Sequence, residues 1–350
     1  MTARGVSGGV PRNDDEAGLT IQGRAGGMRA GMEFGYSLLC EQTPPKQLIT
    51  DGIEAEEAGF DYVTISDHYF PWLEEQGHSA YAWSVLGALA HATHRVPLMT
   101  LVTCPTMRYH PAVVAQKAAT MGVLSDGRFI LGIGAGENLN EHVVGRDWPP
   151  VDVRHEMFEE AVEIIRALFG GDYVNYRGRH YRVDSAKLYD VPAQPVPIGM
   201  AAFGPQAGRL AARHADLLVS DQPVGAVADL FRREGKPAYG QIPVAFGDDY
   251  EECKRRAHRI WKFSVPAWKV MAELPGPVNF EAATKTVRPE DVAESVPCGD
   301  GIDDYVQAVQ QWADAGFTHV SFCQSGPDRQ KDFRTWAEAD LLPVLRERFG

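Results

Sequence analysis

Short β-branched runs that alternate with amphipathic segments are the feature that most restricts how this chain folds. Glu33–Leu38, Tyr62–Ile65, Val96–Val102, Phe129–Ile133, Val196–Ala201, Leu217–Ser220, Ile242–Phe246 and His319–Phe322 read as strands. Between them Pro45–Ala58, Tyr81–Thr93, Pro111–Leu124, His155–Phe169, Gln206–Arg213, Ala226–Arg233, Tyr250–Phe263 and Ile302–Ala315 read as helices, and Phe333–Phe349 as a terminal helix. Strict alternation implies parallel strands with right-handed crossovers. About eight units, with no G-x-G-x-x-G after the first strand, predict a closed (β/α)8 TIM barrel of the α/β class over an open doubly wound sheet. A hairpin over Tyr173–Val183, turning at Arg177–Arg179, interrupts the rhythm, and Val265–Cys298 reads as irregular. Residues 1–31 are rich in Gly and Arg, carry no hydrophobic period, and are expected to be a disordered extension. They lack the apolar centre of a secretory signal, and Met32 is a candidate physiological start. Residues 32–350 are then one catalytic barrel.

The net charge of −13 argues against nucleic-acid and anionic-membrane partners, and no apolar run approaches the ~20 residues that span a bilayer. The five cysteines are scattered without C-x-x-C spacing, which predicts no disulfide framework and a reducing, cytoplasmic setting.

In such a barrel the strand ends converge on one face, where ligands bind. The second strand breaks abruptly into Ser66-Asp67-His68, followed by Trp72. The fourth ends in Gly134-Ala135-Gly136-Glu137, with Asn140 beyond, and its glycines let backbone approach a flat ligand. His68 and Glu137 supply titratable groups for proton transfer on neighbouring strand ends. The plainer alternative for His68 is a loop-capping histidine. Other strand ends deliver Ser37, Val102-Thr103-Cys104-Pro105-Thr106, Ala201-Ala202-Phe203-Gly204 and Ser220-Asp221-Gln222. His68 with His78 finds no third ligand at metal spacing, so no metal is expected. Cys104 reads as a packed thiol, and Lys254-Arg255-Arg256 as a solvated helix face.

Three motifs, in order, resemble one family. They are Ser66-Asp67-His68-Tyr69-Phe70-Pro71-Trp72, Thr103-Cys104-Pro105-Thr106-Met107-Arg108-Tyr109-His110-Pro111 and Leu131-Gly132-Ile133-Gly134-Ala135-Gly136-Glu137-Asn138-Leu139-Asn140-Glu141. The likeness is to the coenzyme F420-dependent glucose-6-phosphate dehydrogenase family of the bacterial luciferase-like superfamily, and it runs from about Glu33 to Gly350. It implies a TIM barrel, often homodimeric, that binds F420 at its C-terminal face and passes hydride between a substrate carbon and C5 of the deazaflavin. Carried over by position, Asp67, Leu101, Val102, Cys104, Gly136, Glu137, Asn140, Ala201 and Ala202 line the cofactor. His68 is implied as base on the substrate hydroxyl, Trp72 as transition-state stabiliser, and Glu137 as manager of the proton on the reduced ring. A cis peptide is implied between Leu101 and Val102.

Sugar-phosphate members hold the phosphate with two lysines and an arginine; the matching positions here are Val224, Met271 and Ser295. Lys269, Lys285 and Arg288 are the alternatives within the irregular segment. A dianion needs charge-assisted donors. The expected substrate is therefore an alcohol or carbonyl compound other than glucose 6-phosphate, in a pocket of Phe203, Val224, Trp268 and Met271. Two other readings remain: an FMN-dependent luciferase-like monooxygenase, and a non-catalytic flavin- or deazaflavin-binding barrel.

Overall fold

A computed structural model describes residues 31–350; apart from Gly31, the expected N-terminal extension lies outside them. Ten strands form among the described residues: β1 (Glu33–Leu38), β2 (Tyr62–Ile65), β3 (Leu98–Thr100), β4 (Phe129–Ile133), β5 (Val174–Arg177), β6 (Arg182–Ala186), β7 (Ile198–Ala201), β8 (Leu217–Ser220), β9 (Ala238–Val244) and β10 (His319–Gln324). All but β5 and β6 close into a parallel barrel in the order β1-β10-β9-β8-β7-β4-β3-β2. β5 and β6 pair antiparallel outside it.

Side chains alternate across the barrel wall. Phe34, Tyr36, Val63, Ile65, Val320 and Phe322 join the layer beneath the helices. Tyr62, Met99, Leu217, Val219 and Tyr239 plug the lumen. The Tyr239 ring lies 5.2 Å from Tyr62 and 4.0 Å from His319. One layer nearer the strand C-termini, Ser37 bonds Thr64 and Ser321, each at 2.8 Å. The lower lumen is thus filled by rings and the next layer is polar but satisfied, so the C-terminal end is the one available for a site. β3 and β4 approach very closely: a Cβ on Gly132 would stand 1.9 Å from the Thr100 carbonyl oxygen.

Several boundaries differ from the sequence expectation. β3 is shorter than Val96–Val102, and the Leu101–Val102 peptide after it is cis, as the resemblance implies. β9 starts four residues earlier than Ile242. Its Gly240 has little strand signal of its own, but the Trp312 ring comes within 2.3 Å of where a Cβ would sit. The hairpin turn falls later because the Glu160 carboxylate takes the amides of Arg179, His180 and Tyr181 at 2.7, 3.0 and 3.1 Å. Those residues are loop, and β6 begins at Arg182. The helix expected from His155 runs over Val151–Phe169, directly after Pro149-Pro150. The terminal helix is three pieces, Gln330–Trp336, a π-type turn Ala337–Leu341, and Leu342–Phe349. Pro343 lacks an N–H, and the wider turn lies just before it.

The irregular segment contains three short helices, Trp268–Met271, Pro277–Ala283 and Pro289–Ala293. The basic run Lys254-Arg255-Arg256 is solvated only in part. Lys254 and Arg255 pair with Glu251 and Glu252. Arg256 is 2% exposed and donates to the Phe246 carbonyl, so that expectation is corrected: a helix face turned inward at every third or fourth residue caught one of the three.

Candidate active site

His68 stands three residues beyond β2, with its Nδ1 3.2 Å from Glu41 Oε1 and 3.2 Å from the Phe70 carbonyl oxygen. Both neighbours are acceptors, so Nδ1 carries a hydrogen. In the neutral ring Nε2 is then left as the acceptor. Glu41 is wholly buried beyond the end of β1. Ser66 Oγ donates to its other carboxylate oxygen at 2.5 Å and itself accepts from the Cys40 amide at 2.9 Å. His68 thus bonds its own loop at the Phe70 carbonyl, as a capping histidine does, and also stands within ion-pair distance of a buried carboxylate.

Asp67 points into a different network. Its Oδ2 accepts from Thr103 Oγ1 at 2.7 Å and Trp83 Nε1 at 3.0 Å. Its Oδ1 accepts from Arg108 at 3.0 Å and Tyr109 Oη at 3.3 Å. The carboxylate is fully engaged, binding the ends of β2 and β3 to each other. Lys117 stands behind this network, its Nζ 3.2 Å from the centre of the Tyr109 ring. Burial pushes its pKa down to about 8, with Asp67 opposing.

Asn140 joins the ends of β2 and β4. Its Oδ1 accepts from the Tyr69 amide at 2.8 Å and the Phe70 amide at 3.3 Å, and its Nδ2 donates to Glu137 Oε2 at 3.3 Å. The turn that carries His68 is thus tied to Glu137. Glu141, one helical step further, is fully buried and accepts from the Arg108 amide at 2.7 Å. Burial pushes its carboxyl up to about 7, against the pull of Arg108.

Two glycines lie between these groups. Gly136 has φ +85°, and a Cβ there would stand 2.5 Å from Cys104 Sγ. A Cβ on Gly134 would stand 2.7 Å from Val102 and 3.5 Å from Ala201. Val102, Cys104 and Ala201 are the side chains nearest these glycines, with Glu141 beside Gly136. Cys104 is buried and bonded to Thr106 Oγ1 at 3.0 Å, and burial raises its thiol pKa, which leaves it a poor nucleophile. Glycines that let backbone come this close are what a planar ring needs in order to lie against a strand end. Among the described residues no group of three or more His, Cys, Asp or Glu is arranged to hold a metal ion.

The wall is aromatic. Trp72 lies 4.7 Å from the His68 ring, stacks on Phe263 at 4.6 Å and 4°, and meets Phe280 edge-on at 5.1 Å. Gln76 accepts from the Trp72 amide at 2.8 Å, fixing its backbone. The segment 265–298 caps this side: Trp268 meets Phe203 edge-on at 5.6 Å, and Met271 packs in the same cluster as Trp72. The Asn138 amide donates to the Ala272 carbonyl at 3.0 Å, which holds the cap to β4's end. Of the four residues expected in the substrate pocket, Phe203 and Trp268 touch, and Val224 is half-buried against the main barrel core.

Sequence reasoning missed Glu41 and Glu141. The signal for Glu41 was present, a lone acid shortly after an apolar strand, but strand one was read as ending near Ser37. Glu141 had no local signal, since a polar residue on a short helix is ordinary until its burial is known.

The luciferase-like monooxygenase family model matches residues 32–319. The chain is 34% identical over 338 residues to an F420-dependent glucose-6-phosphate dehydrogenase of Microbacterium testaceum (strain StLB037), covering 92% of this chain and 100% of that one. It is 36% identical to the enzyme of that name in Kineococcus radiotolerans (strain ATCC BAA-149 / DSM 14245 / SRS30216), covering 90% and 97%. Among solved structures it superposes with a TM-score of 0.82, at 29% identity, on an F420-dependent secondary alcohol dehydrogenase in complex with an F420–acetone adduct, covering 90% of this chain and 99% of that one. With a closed parallel barrel, the matching family model and these relatives over nearly its full described length, the chain belongs to the luciferase-like monooxygenase family.

Proposed function

We propose that this chain is an F420-dependent oxidoreductase that moves a hydride between the deazaflavin and an alcohol or carbonyl substrate. The observation that carries this reading is the Glu41–His68 pair standing beside the glycine-floored cradle, with Nε2 of His68 left free. When bound, the cofactor supplies the carbon that accepts or returns the hydride. The chain supplies the rest. His68 Nε2 takes the hydroxyl proton as the alcohol carbon gives up its hydride, and Glu41 stabilises the imidazolium that results. Trp72 braces the His68 ring and keeps water from that side. Glu137, held by Asn140, faces the cradle as the second proton-handling group. Leu101, Val102, Cys104, Gly136, Ala201 and Ala202 line the ring, and Asp67 and Asn140 hold the loops that shape it.

The positions where sugar-phosphate relatives carry cations support a substrate without a phosphate. Val224 is apolar and Met271 is buried. Of the alternatives, Arg288 is bound to Asp291, whose carboxyl its side-chain hydrogen bond holds down to about 2, while Lys269 and Lys285 are exposed on the outer segment. The test is a parallel titration with oxidised F420 and with FMN, read by tryptophan quenching, followed by substrate assays. F420 is expected to saturate at least tenfold more tightly, and glucose 6-phosphate to be oxidised with kcat/KM below ~10⁴ M⁻¹s⁻¹. Tighter FMN binding would turn the assignment to flavin-dependent oxygen chemistry.

The outer faces of Ala82–Ala92 and Pro111–Leu124 support a homodimer. Neither helix carries an acid, and Val113, Val123 and Leu124 are 45%, 44% and 51% exposed. Sedimentation should give twice the chain mass, and Val123→Glu should shift it toward the monomer. All five cysteines are free and buried, and no helix among the described residues is long and apolar enough to cross a membrane. These support a cytoplasmic setting, which cell fractionation checks.

A further inference from the structure

Asp221 is a carboxyl that the chemistry above leaves unused. It follows β8 directly, in a turn pinned from both sides: Ser220 Oγ donates to the Gln222 carbonyl at 2.8 Å and accepts from the Gln222 amide at 3.2 Å. Strand order places β8 beside β7, and β7 beside β4. Asp221 therefore stands on the same barrel face as Glu137, with Ala201, Ala202 and Phe203 between them. The carboxyl meets its own backbone amide and no ion-pair partner among the described residues. The side chain is exposed, yet surrounding protein desolvates it enough to push its pKa up to about 6, and the charge of Glu137 adds to the rise. Its place at the end of β8, two strands from β4, is what puts it on the face that carries the candidate site. The nearby cap is apolar and aromatic, through Trp268 against Phe203. A wall of two acids and aromatic faces favours cations and hydrogen-bond donors and disfavours anions.

We propose that Asp221 selects substrates whose end remote from the reacting carbon carries a hydrogen-bond donor, an ammonium or a hydroxyl group, and rejects anionic ones. This rests on the oxidoreductase reading above and names the side of the site that reads the substrate. It also accounts for the missing phosphate donors: an anion held beside Asp221 would be repelled unless the carboxyl were first protonated.

The test uses the full chain loaded with F420 and four secondary alcohols of equal length, ending in methyl, hydroxyl, ammonium or carboxylate. The donor-ended alcohols should exceed the methyl-ended one in kcat/KM by about ten- to a hundredfold, the range of a hydrogen bond to a charged group, with the carboxylate-ended one lowest. Asp221→Asn should abolish the preference for ammonium through KM and retain that for hydroxyl. Asp221→Lys should bring the carboxylate-ended alcohol to the top of the series. F420 titration of each variant serves as the folding control. If the alcohols are oxidised and both variants keep the wild-type ranking, the inference is overturned while the oxidoreductase reading stands. If no alcohol is oxidised and F420 does not bind, the underlying reading itself has failed. The hydroxyl and ammonium arms separate a polyol substrate from an amino alcohol.

Discussion

Replacing His68 by alanine should lower kcat/KM for alcohol oxidation by about 10²–10⁴, the usual contribution of a positioned general base. That is ~2.7–5.4 kcal/mol of transition-state stabilisation. The loss should fall on kcat, because the hydroxyl proton is transferred only as the hydride leaves. F420 affinity should stay within about threefold, since His68 stands beside the cradle rather than in its floor, and steady-state kinetics with a parallel titration reads both. Glu41→Gln should give a smaller loss of about 10–10², because the Phe70 carbonyl still orients Nδ1 but the carboxamide no longer opposes the charge of the imidazolium. A His68→Ala enzyme within threefold of wild type in kcat would remove His68 from the chemistry and leave Glu137 as the proton-handling group to examine.

Arg334→Met should be the most destabilising of the charge-removing changes, by about 3–5 kcal/mol. Arg334 is 3% exposed, donates to Asp51 Oδ1 at 2.9 Å and to the Tyr36 hydroxyl at 3.1 Å, and also bonds Glu54. It therefore fastens the carboxy-terminal helices to the first helix and to β1. Methionine fills much of the space but leaves Asp51, itself 1% exposed, with Gln47 as its remaining donor at 3.0 Å. The pH dependence gives a second check. Burial already raises the Asp51 pKa, and removing Arg334 raises it further. The folded variant then holds a proton that the unfolded chain gives up near pH 3.9. Its deficit should be small below that pH and grow as pH rises through the folded-state pKa. Urea unfolding at several pH values measures this, and adding Asp51→Asn should restore more than half of the loss. A deficit under 1 kcal/mol at pH 7 would show that the pair is replaceable by packing.

Much of the candidate site was legible in the sequence, because strand ends announce themselves. A run such as Val63-Thr64-Ile65 that stops at Ser66-Asp67-His68 marks both a buried strand and a polar cluster at its tip. The glycines before Glu137 marked a close approach, and Gly136 indeed has no room for a side chain against Cys104. The roles within the cluster were not legible. Asp67 and His68 are neighbours in sequence, yet one is consumed by Thr103, Trp83, Arg108 and Tyr109, and the other sits on Glu41.

The sequence by itself determined the barrel, the side of it that carries the site, and the glycine-floored cradle, because periodicity and turn chemistry are local properties of short stretches. Tertiary structure alone decided the partners. Ser66 meets Glu41 across 25 residues, Arg334 meets Asp51 across 283, and Arg256 is buried although its neighbour Arg255 is exposed. It also decided that Glu160 turns the hairpin where it does. Such pairings arise only when the barrel closes, because the cost of burying a charge is set by whichever distant group arrives beside it, and no local pattern encodes that arrival.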